Sequence, residues 1–103
     1  MKKFEVVLEP DAVLDIQDAI DYYDTKVLGL GAKFLNKIES CIQTLQKNPF
    51  FQIRYEMVRC LPVSCFPFML HYTVDEQLQT VNIRAVIHTS LNPDEYWLLE
   101  RED

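Results

Sequence analysis

Glycine is nearly absent from this chain. Its 103 residues hold two glycines, Gly29 and Gly31, and both fall in the tripeptide Gly29-Leu30-Gly31. Special backbone freedom is therefore confined to that one connector. Cysteine is also sparse: Cys41, Cys60 and Cys65 are odd in number and form no CxxC pair, which argues against a disulfide framework or a zinc site. Free thiols in a reducing cytoplasm are the expectation. No apolar run approaches the ~18–20 residues that a membrane-spanning helix needs. The apolar stretch of the N-terminal "MKKFEVVLEP" is interrupted by Glu5 and Glu9, too early for a signal peptide. The acidic side chains follow neither an EF-hand nor a His–carboxylate spacing, so no metal and no other cofactor is expected. Repeats and low-complexity segments are missing as well.

Positive charge is the other scarcity. Ten Lys and Arg face sixteen Asp and Glu, a net charge of −6, which disfavours holding nucleic acid by broad phosphate neutralisation. The imbalance is uneven. Residues 9–28 carry Glu9, Asp11, Asp15, Asp18, Asp21 and Asp24 against Lys26 alone. Residues 29–74 carry Lys33, Lys37, Lys47, Arg54 and Arg59 against Glu39 and Glu56. A small basic face on an acidic body is compatible with this pattern. The acidic stripe itself reads as a solvated helix face.

What is present in quantity is apolar side chain, 49% of the residues, enough for one domain spanning 1–103. "KKFEVVLE" predicts a strand over residues 2–8. Pro10 suits a first helical position, and Ala12, Ile16, Ala19, Tyr23 and Val27 then recur at helical spacing. After the glycine connector a second amphipathic run passes through Phe34, Ile38, Cys41 and Leu45 and stops at Asn48-Pro49. Two helices joined by a short link predict a helical hairpin.

Beyond Pro49 the apolar period drops to two. "YEMVRCLPV" predicts a strand that weakens near Pro62. Phe68, Leu70, Tyr72 and Val74 alternate with polar or mixed positions, as do Val81, Ile83, Ala85 and Ile87. A turn around Gln77-Leu78 would pair Val74 with Val81, Tyr72 with Ile83, Leu70 with Ala85 and Phe68 with Ile87. That register places all of these apolar side chains on one face. It sets His71 opposite Arg84 on the other face, where Arg59 would join them. The tail "NPDEYWLLERED" predicts a turn and then a short helix or an extended segment. The architecture is α+β, βααβββ: one antiparallel sheet with the helical hairpin on one face and the other face free for a partner or substrate.

The segments "DAVLDIQDAIDYYD", "GLGAKFLNKIESCIQTLQKNP", "VRCLPVSCFPFMLHYTVD" and "TVNIRAVIHTSLNPDEYW" occur in this order over about residues 3–97. In that order the chain resembles the RelE/ParE superfamily of toxins from type II toxin–antitoxin systems, in its ParE-like branch, the plasmid-stabilisation proteins that inhibit growth. The resemblance implies a cognate antitoxin whose disordered arm folds onto the toxin. It also implies one of two activities. ParE-type toxins bind DNA gyrase and perform no chemistry of their own. RelE-type toxins cut mRNA on the ribosome without metal, which requires proton transfer and cations around a charged phosphorane.

For the ribonuclease reading the candidates are His88 as acid or base with Arg59 and Arg84 on the phosphate, and His71 or Tyr96 as a second proton carrier. For the binding reading the contact residues are His71, Arg54, Tyr96 and Trp97, since Tyr and Trp favour interface cores. The same residues also admit structural roles. His71 with Arg84 would make a cross-strand polar pair, His88 would cap a strand end, and Trp97 would close the core. Residues 50–97 hold three arginines, no lysine and five acids, a poor surface for the ribosome. The expectation is thus a ParE-like toxin acting by binding. The alternatives are a ribosome-dependent endoribonuclease and a degenerate, non-toxic member that still binds antitoxin.

Overall fold

The computed structural model describes residues 3–89. The elements run β1 (Glu5–Leu8), α1 (Pro10–Lys26), α2 (Leu30–Lys47), β2 (Ile53–Tyr55), β3 (Val58–Pro62), β4 (Phe68–Asp75) and β5 (Thr80–His88).

Each helix boundary has a local cause. Pro10 occupies the first position of α1, where its missing N–H costs nothing, and Asp11 and Lys26 complement the helix dipole at the two ends. Gly29 caps α2 with φ of 90°, a left-handed conformation that penalises a Cβ. Gly31 serves a different need. A Cβ there would lie 2.7 Å from the Ile20 carbonyl oxygen, so its bare backbone lets α2 press against α1. Its N–H donates to Asp24 Oδ1 at 2.8 Å, tying the start of α2 to the last turns of α1. At the other end, the Asn48 side chain accepts the Phe50 N–H and turns the chain out of α2.

The buried stripes match the apolar spacing: Ala12, Ile16 and Ala19 on α1, and Phe34, Ile38, Cys41 and Leu45 on α2. They meet Leu70, Tyr72, Val81, Ile83 and Val86 of the sheet in one core. Each fully buried Val, Leu, Ile or Phe among them contributes about 1.5–3 kcal/mol. Tyr23, Phe34, Phe66 and Phe68 pack ring to ring at one end, with centroids 4.9 to 6.1 Å apart.

The sheet order is β1-β5-β4-β3-β2. The expected antiparallel sheet is in fact mixed, because β1 lies parallel to β5. It also has one strand more than expected. Glu56 takes a left-handed φ of 50° and breaks "YEMVRCLPV" into a short hairpin of β2 and β3.

The β4–β5 register follows the expected pairs only at the turn end. Val74 faces Val81 and Tyr72 faces Ile83, but then a bulge intervenes and His71 faces Ala85, Leu70 faces Val86 and Phe68 faces His88. Arg84 is the extra residue. A bulge opposes two residues to one and reverses the alternation beyond it. Val86 and His88 therefore turn toward the helices, while Ala85 and Ile87 turn away. The predicted pairing of His71 with Arg84 does not form.

The outer face is free only in part, with Thr73 and Arg84 half-buried. Cys60, His71, Ala85 and Ile87 are at most 7% exposed. The bulge makes that face apolar by handing it Ala85 and Ile87.

Candidate functional site

The residues singled out from the sequence do not gather at one place. Arg59 pairs across the sheet with Tyr72, a residue of the helix-side core, so its side chain leaves from the helix side and not the outer face. There it donates to the Phe51 carbonyl oxygen and lies over the Phe50 ring, 5.4 Å from its centroid. Tyr72 donates its hydroxyl to the Pro49 carbonyl at 2.8 Å. Together these side chains clamp the segment leaving α2.

Arg84 stands on the bulge. Its Nε lies 3.9 Å from Glu9 Oε1, both side chains partly exposed, and it borders a shallow cleft with Glu56, Val58 and Thr73. His71 is 1% exposed. Its Nδ1 lies 2.9 Å from the Tyr55 hydroxyl and 3.5 Å from Cys60 Sγ. Burial pushes the Cys60 thiol up to about 11, with the Arg54 charge partly opposing the rise. A thiol held neutral in this way is inert as a nucleophile. Arg54 itself sits exposed on β2, at the edge of the sheet.

His88 ends β5 with its ring 5.2 Å from that of Phe68. It borders a cleft of about 250 Å³ with Asp15, Asp18, Tyr22 and Val86. Its Cα partner on β4 is Phe68, whereas that of Arg59 is Tyr72. Four residues along a strand and two strand spacings across put the Arg59 and His88 backbones about 16 Å apart. Arg84, on the outer face, joins neither of them. Tyr96 and Trp97 lie outside the described residues.

Sequence reasoning passed over a larger feature. An open groove of about 720 Å³ runs between α2 and the turn joining β3 to β4. Tyr23, Leu30, Phe66 and Pro67 supply apolar walls, while Lys33, Asn36, Lys37 and Ser40 come from one side of α2. Cys65, exposed and at a left-handed φ of 71°, completes the far wall. The signal for it was present: a net-positive central segment, two lysines one helical turn apart, and the Phe-Pro-Phe of residues 66–68. Among the described residues no group of three or more His, Cys, Asp or Glu is placed to hold a metal ion.

A helical hairpin over a five-stranded mixed sheet, with this element order, is the fold of the RelE/ParE class of toxins. Solved toxin–antitoxin structures share it, among them the following two. The chromosomal ParDE toxin–antitoxin system from P. aeruginosa superposes with a TM-score of 0.72 at 16% identity, covering 84% of this chain and 96% of that one. The toxin–antitoxin complex RelBE2 from Mycobacterium tuberculosis gives 0.55 at 18% identity, covering 85% and 93%. In sequence, residues 6–93 match the family described as ParE toxin of type II toxin-antitoxin system, parDE. The chain belongs to that family of toxins. No curated protein matches it in sequence.

Proposed function

We infer that this toxin arrests growth by binding a cytoplasmic target, with DNA gyrase the target its ParE-like character favours, and that a cognate antitoxin neutralises it. One observation carries the preference for binding over hydrolysis. The groups that would have to surround a scissile phosphate are dispersed and engaged elsewhere. Arg59 holds a backbone carbonyl on the helix side, Arg84 stands beside Glu9 on the outer side, and His88 is about a strand length from Arg59. Phosphoryl chemistry requires such groups within hydrogen-bond reach of one centre. The ParDE and RelBE2 relatives, a toxin–antitoxin system and a toxin–antitoxin complex, support the antitoxin partner.

Induced expression in a bacterial host tests this reading. Filamentation with a DNA-damage response is expected, with bulk mRNA intact. Rapid arrest of translation with cut mRNA would replace it by the ribonuclease. Unchanged growth would indicate a member that has lost toxicity.

A further inference from the structure

Exposed apolar side chains crowd one short stretch of this chain. Phe50, Phe51, Ile53 and Met57 are each more than a third exposed. They lie on the segment leaving α2, on β2 and on the turn after it, along the rim of the sheet. Apolar side chains gathered on a surface mark an interaction site. Residues 50–57 also include Arg54 and Tyr55, and no Lys, Asp, Ser or Ala, which is the composition that interface cores favour. The local charge opposes that of the body. Residues 47–59 carry Lys47, Arg54 and Arg59 against Glu56, in a chain of net charge −6. Arg54 is exposed and enters no ion pair among the described residues. The backbone beneath these side chains is held in place. Tyr72 donates to the Pro49 carbonyl and Arg59 to that of Phe51, while Phe50 stands edge-on to Phe4, centroids 5.5 Å apart. Groups presented from a fixed backbone lose less entropy on binding.

We propose that this rim is the surface by which the toxin grips a protein target, with Phe51, Ile53 and Met57 as apolar anchors and Arg54 as the flanking cation. The partner surface it fits is an apolar patch bordered by carboxylates. The proposal rests on the growth-inhibiting function inferred above and gives it a contact face. Recognition is by side chains and not by strand addition, because β2 has three residues and an irregular register against β3, a poor template for a further strand. Nucleic acid fits less well. Ile53 and Met57 offer no ring for a base to stack on, and so few cations neutralise little of a phosphate backbone. The rim shares no residue with the 720 Å³ groove.

The test expresses the full chain in a bacterial host and titrates the purified chain against purified DNA gyrase. Ile53→Thr with Met57→Ser removes two exposed anchors and leaves the Phe50–Phe4 contact and both backbone hydrogen bonds in place. This double variant should melt like wild type, weaken gyrase binding by about tenfold or more and relieve growth arrest. Arg54→Glu should weaken binding too and flatten its salt dependence, because that part of the contact is electrostatic. Leu78→Ser, at an apolar side chain more exposed than any of these but on the β4–β5 turn, should change neither readout. Oxidation of Met57 by peroxide should slow in the complex. If the target is not gyrase, growth arrest by the same variants still decides.

Growth arrest of wild-type strength in the double variant, or an unprotected Met57 in the complex, would overturn the rim while leaving the toxin assignment intact. A wild-type chain that arrests no growth would overturn the inferred function and this proposal with it. Two other results would refute a target site: a solution dimer that the double variant abolishes, and capture of a single-stranded DNA oligonucleotide that Arg54→Glu abolishes.

Discussion

The Asp15 carboxylate accepts the backbone N–H of Val86 at 3.0 Å, joining α1 to β5 just beyond the bulge. The pairing of β1 with β5 ends at Ile83, so the next stretch of β5 has no strand on that side. A side chain from α1 takes over what a strand would have done for Val86.

Asp15→Ala should therefore leave a half-buried N–H without its acceptor and cost about 1–3 kcal/mol. Urea unfolding checks this by a lower midpoint at unchanged slope. An unshifted midpoint would show that water replaces the carboxylate at no cost.

The two glycines should respond differently to the same substitution. Gly31→Ala drives a methyl against the Ile20 carbonyl and Cγ2, at 2.7 and 2.8 Å, and should cost about 1–3 kcal/mol by overpacking. Gly29→Ala meets no neighbouring atom and should cost about 1 kcal/mol, from its left-handed φ alone. Thermal melts of the two variants side by side give the comparison, and a larger loss at position 29 would contradict the packing account.

The clamp on the chain leaving α2 predicts a separation of stability from activity. Tyr72→Phe removes the buried hydrogen bond to the Pro49 carbonyl and should cost about 1–2 kcal/mol. Arg59→Ala should loosen the same segment by about 1 kcal/mol. On the binding mechanism proposed above, growth inhibition should persist in Arg59→Ala and in His88→Ala. Plating after induction, with mRNA integrity followed in parallel, decides it: loss of mRNA cleavage in both variants, with the fold retained, would restore the ribonuclease.

Alkaline pH should destabilise the fold in a defined window. Below about pH 9 the Cys60 thiol is protonated in both the folded and the unfolded chain, and its contribution is complete. Above that, the unfolded thiol ionises while burial keeps the native one neutral up to about 11, so stability falls between the two values. Tyr72, which burial raises from 10.0 to about 12, adds a second decline at higher pH. Burial also raises the Cys41 thiol, so denaturant midpoints measured from pH 8 upward should drop, and Cys60→Ala should reduce the earlier part of the drop without abolishing it.

The helical hairpin was legible because two independent signals agreed, the apolar spacing of α1 and α2 and the pairing of both glycines in one connector. The turn end of β4–β5 was legible from alternation. The bulge was not. No glycine or proline marks it, and Ala85, Val86 and Ile87 form a continuous apolar run that satisfies either face. That single hidden residue displaced His71, Ala85, Ile87 and His88 from their expected neighbours, and so undid the outer site. Arg59 was misplaced for a related reason. Val58 and Cys60 look like core residues, and they are buried, but on the side of the sheet away from the helices. Alternation along a strand tells which residues share a face, but not which face the helices cover.

Arg84 thus acts as a parity change in β5. Counting odd and even positions from Thr80 and counting them back from His88 give opposite directions for the same side chain. Pairing Arg84 as an ordinary strand residue, with no bulge, would exchange the neighbourhoods of Ile87 and His88, sending an imidazole away from the helices and an aliphatic chain toward Tyr22. Relatives compared with this chain should be aligned on either side of position 84 separately, since running without a gap into a strand that lacks the bulge swaps insides for outsides.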